Sequence, residues 1–286
     1  MLNCRHIPSK GIIMKIVNTT SCFPKCWDSM NALERLARIG YDGIDMAFDY
    51  CVKDPGFPFM TDEYMRWAYA LRERAEQLGV SYTHSHAPFD TEAKGEIVER
   101  TFKCANILGA KYMVVHPFYD NADGRIYDAD VFVDSNVKAV RQMLEYAEKY
   151  KVIILAENLL EAASTPVRNI SRMVEEINSP WFGWCYDTGH AHATGGTLEE
   201  LCKVGRAPLS LHVQDNNGDW DDHLIPGDGN IDWGEFLRTL KAIGYKGDLV
   251  LEAHETPKDA PDEMRDAILA DILDRAKKMV AYYESL

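Results

Sequence analysis

A short pattern recurs along this chain of 286 residues: a helix-like stretch ends in a glycine, and a new apolar run begins directly after it. The pattern occurs at Gly40, Gly79, Gly109 and Gly244. A glycine after a helix can take the left-handed conformation that ends the helix at little cost in free energy. The chain is therefore predicted to alternate helices and strands, with glycines as the joints between them.

Eight apolar runs have the length and composition of buried strands. They lie at residues 15–20, 43–47, 80–85, 112–116, 152–157, 183–187, 209–213 and 249–252. Between most of them are helical patterns, such as Val137, Val140, Leu144 and Ala147, whose spacing places them on one helix face. Apolar strands that alternate with helices favour a parallel sheet covered by those helices. Eight such units in this length predict an α/β fold of one domain, the (β/α)8 TIM barrel.

A doubly wound open sheet is the alternative arrangement of the same elements. It is disfavoured because no G-x-G-x-x-G motif follows the first strand and no P-loop is present. No linker rich in proline, glycine or serine divides the chain, so we expect one domain over residues 14–286. Residues 1–13 are interpreted as an N-terminal extension that can lie outside the fold. Asp232 followed by Glu235 predicts the start of a late helix.

The charge balance limits the partners that the chain can bind. It has 31 basic and 45 acidic residues, which gives a net charge of −14. Such a surface repels nucleic acid and anionic lipid, so we expect a small-molecule ligand and neither nucleic acid nor membrane as partner. The sequence leaves a homo-oligomer open. Seven cysteines, an odd number, do not suggest a disulfide framework, and the reducing cytoplasm is the expected location.

Acidic residues or a histidine close the last four predicted strands. They are Glu157, Asp187, His212 and Glu252. In a parallel barrel the carboxyl ends of the strands meet at one rim, where the chemistry takes place. Three carboxylates and one imidazole suit a single divalent metal ion, with manganese, cobalt or magnesium expected and zinc possible.

Eight of the nine histidines fall on strand ends or on the loops that follow them. A random scatter would not do this, and histidine can bind metal, move protons or hold a hydroxyl group. Some of these histidines could hold a second metal instead of substrate. The predicted substrate-binding residues are His86, His116, His190, Asp221, His223 and Trp220.

Six motifs carry a resemblance to a known family. They are Ser85-His86-Ala87-Pro88-Phe89, Val115-His116-Pro117, Ala156-Glu157-Asn158, Tyr186-Asp187-Thr188-Gly189-His190, the run 211–216 and the run 223–233. Together and in this order they resemble the xylose isomerase-like TIM-barrel superfamily, which includes sugar isomerases, sugar epimerases and the endonuclease IV group. The resemblance covers residues 15 to about 282. It implies that Glu157, Asp187, His212 and Glu252 ligate the metal and that His190 contacts substrate.

Two positions depart from the pattern of ketose 3-epimerases in this superfamily. A second glutamate that contacts substrate typically lies six residues after the first metal ligand, where this chain has Ala163. An arginine typically lies six residues after the histidine ligand, where this chain has Gly218. The resemblance therefore implies the metal site but not the ketohexose 3-epimerase reaction itself.

The leading hypothesis is a metal-dependent isomerase or epimerase of a ketose-like carbohydrate, with Glu157 and Glu252 as the proton-transfer pair. Few lysines or arginines fall on the strand-end loops, which favours a neutral sugar over a sugar phosphate. A non-catalytic sugar-binding barrel is one alternative.

A second alternative is a three-zinc phosphodiesterase of the endonuclease IV kind. Its nine candidate ligands are His86, His116, Glu157, Asp187, His190, His212, Asp221, His223 and Glu252. Electrostatics disfavours this alternative, because the segment 215–232 contains no lysine or arginine to contact phosphate.

Overall fold

The computed structural model describes residues 14–24, 28–118, 128–161 and 163–286. The candidate extension over residues 1–13 lies outside the described residues. The described strands are β1 Ile16–Thr19, β2 Gly43–Ala47, β3 Ser81–Asp90, β4 Tyr112–His116, β5 Ile153–Glu157, β6 Phe182–Asp187, β7 Ser210–His212 and β8 Leu249–Leu251. The described α-helices are α1 Ser29–Ile39, α2 Phe48–Cys51, α3 Tyr64–Leu78, α4 Glu96–Leu108, α5 Ala129–Tyr150, α6 Val167–Ile177, α7 Thr188–Ala193, α8 Leu198–Lys203, α9 Trp233–Ala242, α10 Glu255–Asp259 and α11 Asp262–Ser285.

The eight strands form one parallel sheet in the order β7-β6-β5-β4-β3-β2-β1-β8. The two outer strands meet just beyond their ends, where the Val213 amide donates to the Val250 carbonyl at 2.8 Å and the Glu252 amide donates to the Val213 carbonyl at 3.0 Å. The sheet is thereby closed, which confirms the predicted single-domain (β/α)8 barrel and shows that the open sheet is wrong. None of the described helices is long and apolar enough to cross a lipid bilayer.

The glycines predicted to follow helices take the left-handed conformation. Gly40, Gly79 and Gly109 directly follow α1, α3 and α4 with φ angles of +106°, +72° and +91°. Gly244 lies one residue later than expected, because Ile243 caps α9 in a right-handed conformation before Gly244 turns at φ +73°. The same helix begins as predicted, with the Asp232 carboxylate accepting the Glu235 amide at 2.9 Å.

Strand β3 is longer than predicted. It was expected to end at residue 85, but it continues to Asp90, whose Cα pairs with His116 on β4. Pro88 disfavours the helical conformation at the residue before it, which keeps this segment extended. The register against β4 shifts between His86 and Asp90, so the added residues of β3 bulge beside the end of β4.

Alternation along the strands divides their side chains between the inside and the outside of the barrel. Met113 and Val115 on β4 pack into the large core between sheet and helices, whereas Val114, Leu155 and Cys185 form a small separate cluster inside the barrel. A side chain two residues beyond an inward one also points inward. The last residues of β5 and β6 therefore point into the barrel mouth.

The loop from β7 to α9 is held by one buried carboxylate, that of Asp215. Its oxygens accept the amides of Gly227 at 2.8 Å and Ile231 at 3.2 Å, and the indole N–H of Trp233 at 2.9 Å. Its main chain pairs with Leu224 in both directions at 2.9 Å. This loop carries Asp221 and His223, so Asp215 fixes the course of a segment that supplies two candidate site residues.

We predict that Asp215→Ala lowers the free energy of unfolding by about 2 kcal/mol, because it removes the buried acceptor of several partly buried donors. Urea denaturation measures the loss. The matched control is Asp219→Ala in the same loop, where the side chain is exposed and little change is expected. Equal losses for the two variants would contradict the anchoring role of Asp215.

Candidate active site

Four side chains meet at the carboxyl ends of β5 to β8. Glu157, Asp187, His212 and Glu252 are all buried, and each offers a potential ligand atom within 4.8 Å of the others. His212 lies between the two glutamates, with Nδ1 at 2.7 Å from Oε1 of Glu157 and at 3.2 Å from Oε2 of Glu252. The structure therefore brings together the four residues predicted as metal ligands.

Asn158 holds Asp187 in place from the neighbouring strand. Its side-chain amide donates to the Asp187 carbonyl at 3.0 Å and accepts the Asp187 amide at 2.9 Å. The Asp187 carboxylate in turn accepts the His190 amide at 2.6 Å and so caps α7. One oxygen of this carboxylate is thus occupied by the helix terminus.

Two buried carboxylate oxygens at the centre have no hydrogen-bond partner among the described residues, Oδ2 of Asp187 and Oε2 of Glu157. A buried, unpaired carboxylate oxygen is costly, and a bound cation would satisfy both. Oxygen-rich donor sets of this kind suit a divalent ion. The residues present therefore fit a divalent metal.

Burial and the surrounding charges shift the pKa values of Asp187 and Glu252 in opposite directions. Burial raises the pKa of Asp187 to about 7, with the charges of Glu157 and Glu252 reinforcing it against the opposing charge of His190. Burial also tends to raise the pKa of Glu252, but the charge of His212 and hydrogen bonds from His212 and His86 hold it well below its usual range. The lowered pKa favours the ionised form of Glu252.

A second group lies beside the first and consists of His190, Asp221 and His223. Nδ1 of His190 is 2.9 Å from the Asn158 carbonyl, and Nδ1 of His223 is 3.0 Å from the Glu252 carbonyl. Because a carbonyl can only accept, both Nδ1 atoms carry hydrogen. Both Nε2 atoms then face the same oxygen of Asp221, at 3.2 and 3.1 Å. Burial lowers the pKa of His223, but the hydrogen bond to Asp221 and the charges of nearby carboxylates outweigh it and raise this pKa to about 9.

A third group joins His86 and His116 to Glu157. The two Nε2 atoms of the histidines are 3.0 Å apart, and Nε2 of His116 is 3.4 Å from Oε2 of Glu157. All nine residues named as candidate metal or substrate ligands, Trp220 aside, therefore fall into three neighbouring groups.

Seven of these nine residues line a cavity of about 740 Å³. The predicted residues among its lining are His86, His116, Glu157, His190, Asp221, His223 and Glu252. Asp187 and His212 do not line it, and Trp220 is 68% exposed and is also absent from the lining. The lining further includes Tyr50, Phe89, Phe118 and His254, which are not among the predicted site residues. No lysine or arginine is among the described residues that line the cavity.

Gln214 belongs to one of the sequence motifs without a predicted role of its own, yet it connects two of the groups. Its side-chain NH2 donates to Asp221 at 2.5 Å and to Asp187 at 3.4 Å, and its Oε1 accepts the His223 amide at 3.2 Å. His223 has a φ of +46°, a left-handed conformation that is uncommon for a residue with a side chain. Gln214 therefore helps to hold this residue in place.

Residues 33–271 match the profile of the family described as xylose isomerase-like TIM barrel. The chain belongs to this family. The predicted resemblance is thereby confirmed over most of the sequence.

Among its relatives, an uncharacterized protein of Methanocaldococcus jannaschii is 28% identical over 274 residues, which covers 90% of this chain and 88% of that protein. An inosose isomerase of Bacillus licheniformis is 29% identical over 169 residues, covering 54% of this chain and 59% of the isomerase.

Solved structures show the same fold. The IOLI protein with a bound zinc atom superposes with a TM-score of 0.78 at 20% identity, covering 96% of this chain and all of that one (100%). The D-psicose 3-epimerase of Clostridium cellulolyticum H10, solved with D-tagatose, superposes with a TM-score of 0.73 at 18% identity, covering 93% of this chain and 99% of the epimerase.

We predict that Gly189→Ala displaces the Gln214 side chain, which connects Asp187 to Asp221. A Cβ at this position would lie 2.2 Å from the side-chain carbon and oxygen of the buried Gln214, so Gln214 must move. Overpacking of this kind should lower the free energy of unfolding by about 2 kcal/mol, measured by urea denaturation.

The control for this variant is Gly234→Ala on α9, where an added Cβ would meet only the ends of the Arg238 and Asp232 side chains at 3.3 Å. This control is expected to be neutral or stabilising. Unchanged stability of Gly189→Ala would count against the tight packing of Gln214.

Proposed function

We propose that this family member is a divalent-metal-dependent isomerase or epimerase of a ketose-like carbohydrate, acting by proton transfer through an enediolate. The observation that carries the proposal is the pair of buried glutamates, Glu157 and Glu252, which flank His212 at 2.7 and 3.2 Å. Both glutamates also line the cavity. The inosose isomerase among the relatives and the sugar epimerase among the structural neighbours support the same class of reaction.

Glu157, Asp187, His212 and Glu252 would hold the metal. When bound, a divalent ion supplies the positive charge that stabilises an enediolate. Three carboxylates and one imidazole favour manganese, cobalt or magnesium. Zinc is also compatible with this donor set, and the structurally similar IOLI protein binds a zinc atom.

The chain's own residues would move the proton. One glutamate of the pair takes the proton from the carbon next to the substrate carbonyl, and the C–H electron pair becomes the double bond of the enediolate. The other glutamate, after taking a proton from solvent, gives it to the opposite face of the same carbon, which completes epimerisation. Delivery to the neighbouring carbon, with transfer of the hydroxyl proton between the two substrate oxygens, completes isomerisation. His190 lines the cavity with its Nδ1 fixed by Asn158 at 2.9 Å, and its Nε2, which is 3.2 Å from Asp221, would together with Asp221 orient a substrate oxygen.

The substrate is proposed to be a neutral carbohydrate. The described lining offers carboxylates, imidazoles and aromatic rings but no lysine or arginine to pair with a phosphate. Aromatic side chains such as Phe89 and Phe118 can pack against the apolar face of a sugar ring. Ketoses and inososes are therefore the compounds to screen first.

We predict that Glu252→Gln abolishes exchange of the substrate's α-proton with deuterated solvent, because the amide cannot accept a proton. The assay is NMR in D2O with the substrate found by screening ketoses and inososes in manganese, cobalt, magnesium and zinc. His190→Ala is expected to weaken binding and positioning while slow turnover remains. Exchange at the parent rate in Glu252→Gln would show that the glutamate pair does not transfer the proton.

A second candidate function is a three-metal phosphodiesterase of the endonuclease IV kind. One observation favours it: the nine residues that would ligate three ions lie in three adjacent groups. The net charge of −14 and the described cavity lining without lysine or arginine oppose the binding of a nucleic acid backbone.

Two measurements distinguish the two functions: the number of metal ions per chain and the incision of DNA that contains an abasic site. The sugar enzyme predicts one ion per chain by mass spectrometry, a lower content in Asp187→Asn, and no incision of abasic DNA at physiological salt. Three ions per chain, together with incision above the level of a Glu157→Ala control, would instead establish the phosphodiesterase.

A further inference from the structure

A buried hydrogen-bond network next to the cavity joins three segments that are distant in sequence. Thr91 follows the extended end of β3, Phe118 lies two residues beyond β4, and Asn136 is on α5. The Phe118 amide is shared between Oγ1 of Thr91 at 2.9 Å and Oδ1 of Asn136 at 2.7 Å. The Thr91 hydroxyl donates to Oδ1 of Asn136 at 2.5 Å. Thr91 is 1% exposed and Asn136 is fully buried.

All the hydrogen-bonding capacity of the Asn136 side chain is used. Its oxygen accepts from Phe118 and Thr91, and its NH2 group donates to the carbonyls of Phe118 at 2.8 Å and Phe132 at 3.0 Å. Asn136 therefore binds both the N–H and the C=O of Phe118, as a paired strand would. A fully satisfied buried network of this kind holds one geometry, because each displacement leaves a polar group unpaired.

This hydrogen-bond network holds the main chain of two residues that line the cavity, Phe118 and His116. The Thr91 amide donates to the His116 carbonyl at 3.0 Å. The side chain of His116 is 43% exposed and meets His86 at 3.0 Å between the two Nε2 atoms. The backbone from the His116 carbonyl to Phe118 is therefore held by the Thr91 main chain and by the side chains of Thr91 and Asn136.

We propose that Thr91 and Asn136 are positioning residues, which fix the cavity wall at Phe118 and set His116 against His86. Neither side chain lines the cavity, so they act through the residues that do. The effect on substrate rests on the proposed sugar chemistry, whereas the effect on Phe118 and His116 does not.

Thr91→Val tests the positioning role of Thr91, because the valine side chain has nearly the same shape as that of threonine. It removes the hydroxyl that donates to Asn136 and accepts from Phe118, while Thr91→Ser keeps that hydroxyl and should restore parent behaviour. The matched control is Thr101→Val on α4, which also removes a buried threonine hydroxyl, one that donates to the Ile97 carbonyl at 2.7 Å. Asn136→Leu is a second variant that removes all the side-chain bonds to Phe118 at once.

With the substrate found in the screen, Thr91→Val should raise KM about tenfold, as expected for a lost buried hydrogen bond. Its kcat should stay within about twofold, because the proton-transfer pair is untouched. Thr91→Ser and Thr101→Val should keep the parent KM. A KM change of equal size in Thr101→Val would assign the effect to stability and overturn the proposal.

Hydrogen exchange followed by mass spectrometry needs no substrate. The peptide from 112 to 118 should exchange at least about threefold faster in Thr91→Val and faster still in Asn136→Leu, with the peptides of the other strands unchanged. Parent-like exchange of this peptide in both variants would overturn the proposal. If no carbohydrate is turned over by the parent protein, the proposed function fails, and this exchange experiment still decides the positioning role.

Discussion

Three carboxylates and an imidazole, all buried, share a small volume at the mouth of this barrel, and the surrounding structure is arranged around that constraint. Glu157, Asp187 and Glu252 would repel one another if nothing compensated their charge. His212 compensates part of it by lying between the two glutamates. Two carboxylate oxygens have no hydrogen-bond partner among the described residues, and they are the physical reason to expect a cation there.

Three polar residues, Asn158, Gln214 and Asp215, hold the residues of the site in place. Asn158 holds the main chain of Asp187, and Gln214 ties Asp221 to the same aspartate. Asp215 closes the loop from which Asp221 and His223 project. Polar groups that orient ligands in this way fix the tautomers of the histidines and the directions of the carboxylates. The site is therefore preorganised by the barrel and by its loops together.

The same arrangement of ligands can serve two kinds of chemistry, and the walls of the cavity distinguish them. Three adjacent groups of histidines and carboxylates could hold several ions, as a phosphodiesterase requires. The described walls, however, offer aromatic rings and acidic groups and lack the arginines and lysines that bind phosphate. These walls are the reason for proposing a neutral, hydroxyl-rich substrate rather than a phosphodiester.

The sequence by itself determined the alternation of helices and strands, and with it the barrel and the rim where Glu157, Asp187, His212 and Glu252 meet. These features are local: a glycine cap, an apolar run and the residue that closes it are all read within a few positions. Only the tertiary structure decided the length of β3, the exclusion of Trp220 from the cavity lining, and the roles of Gln214 and Asn136. The length of β3 and the roles of Gln214 and Asn136 depend on hydrogen bonds between segments distant in the chain, such as that between Thr91 and Asn136. No local pattern encodes which distant donor meets which acceptor.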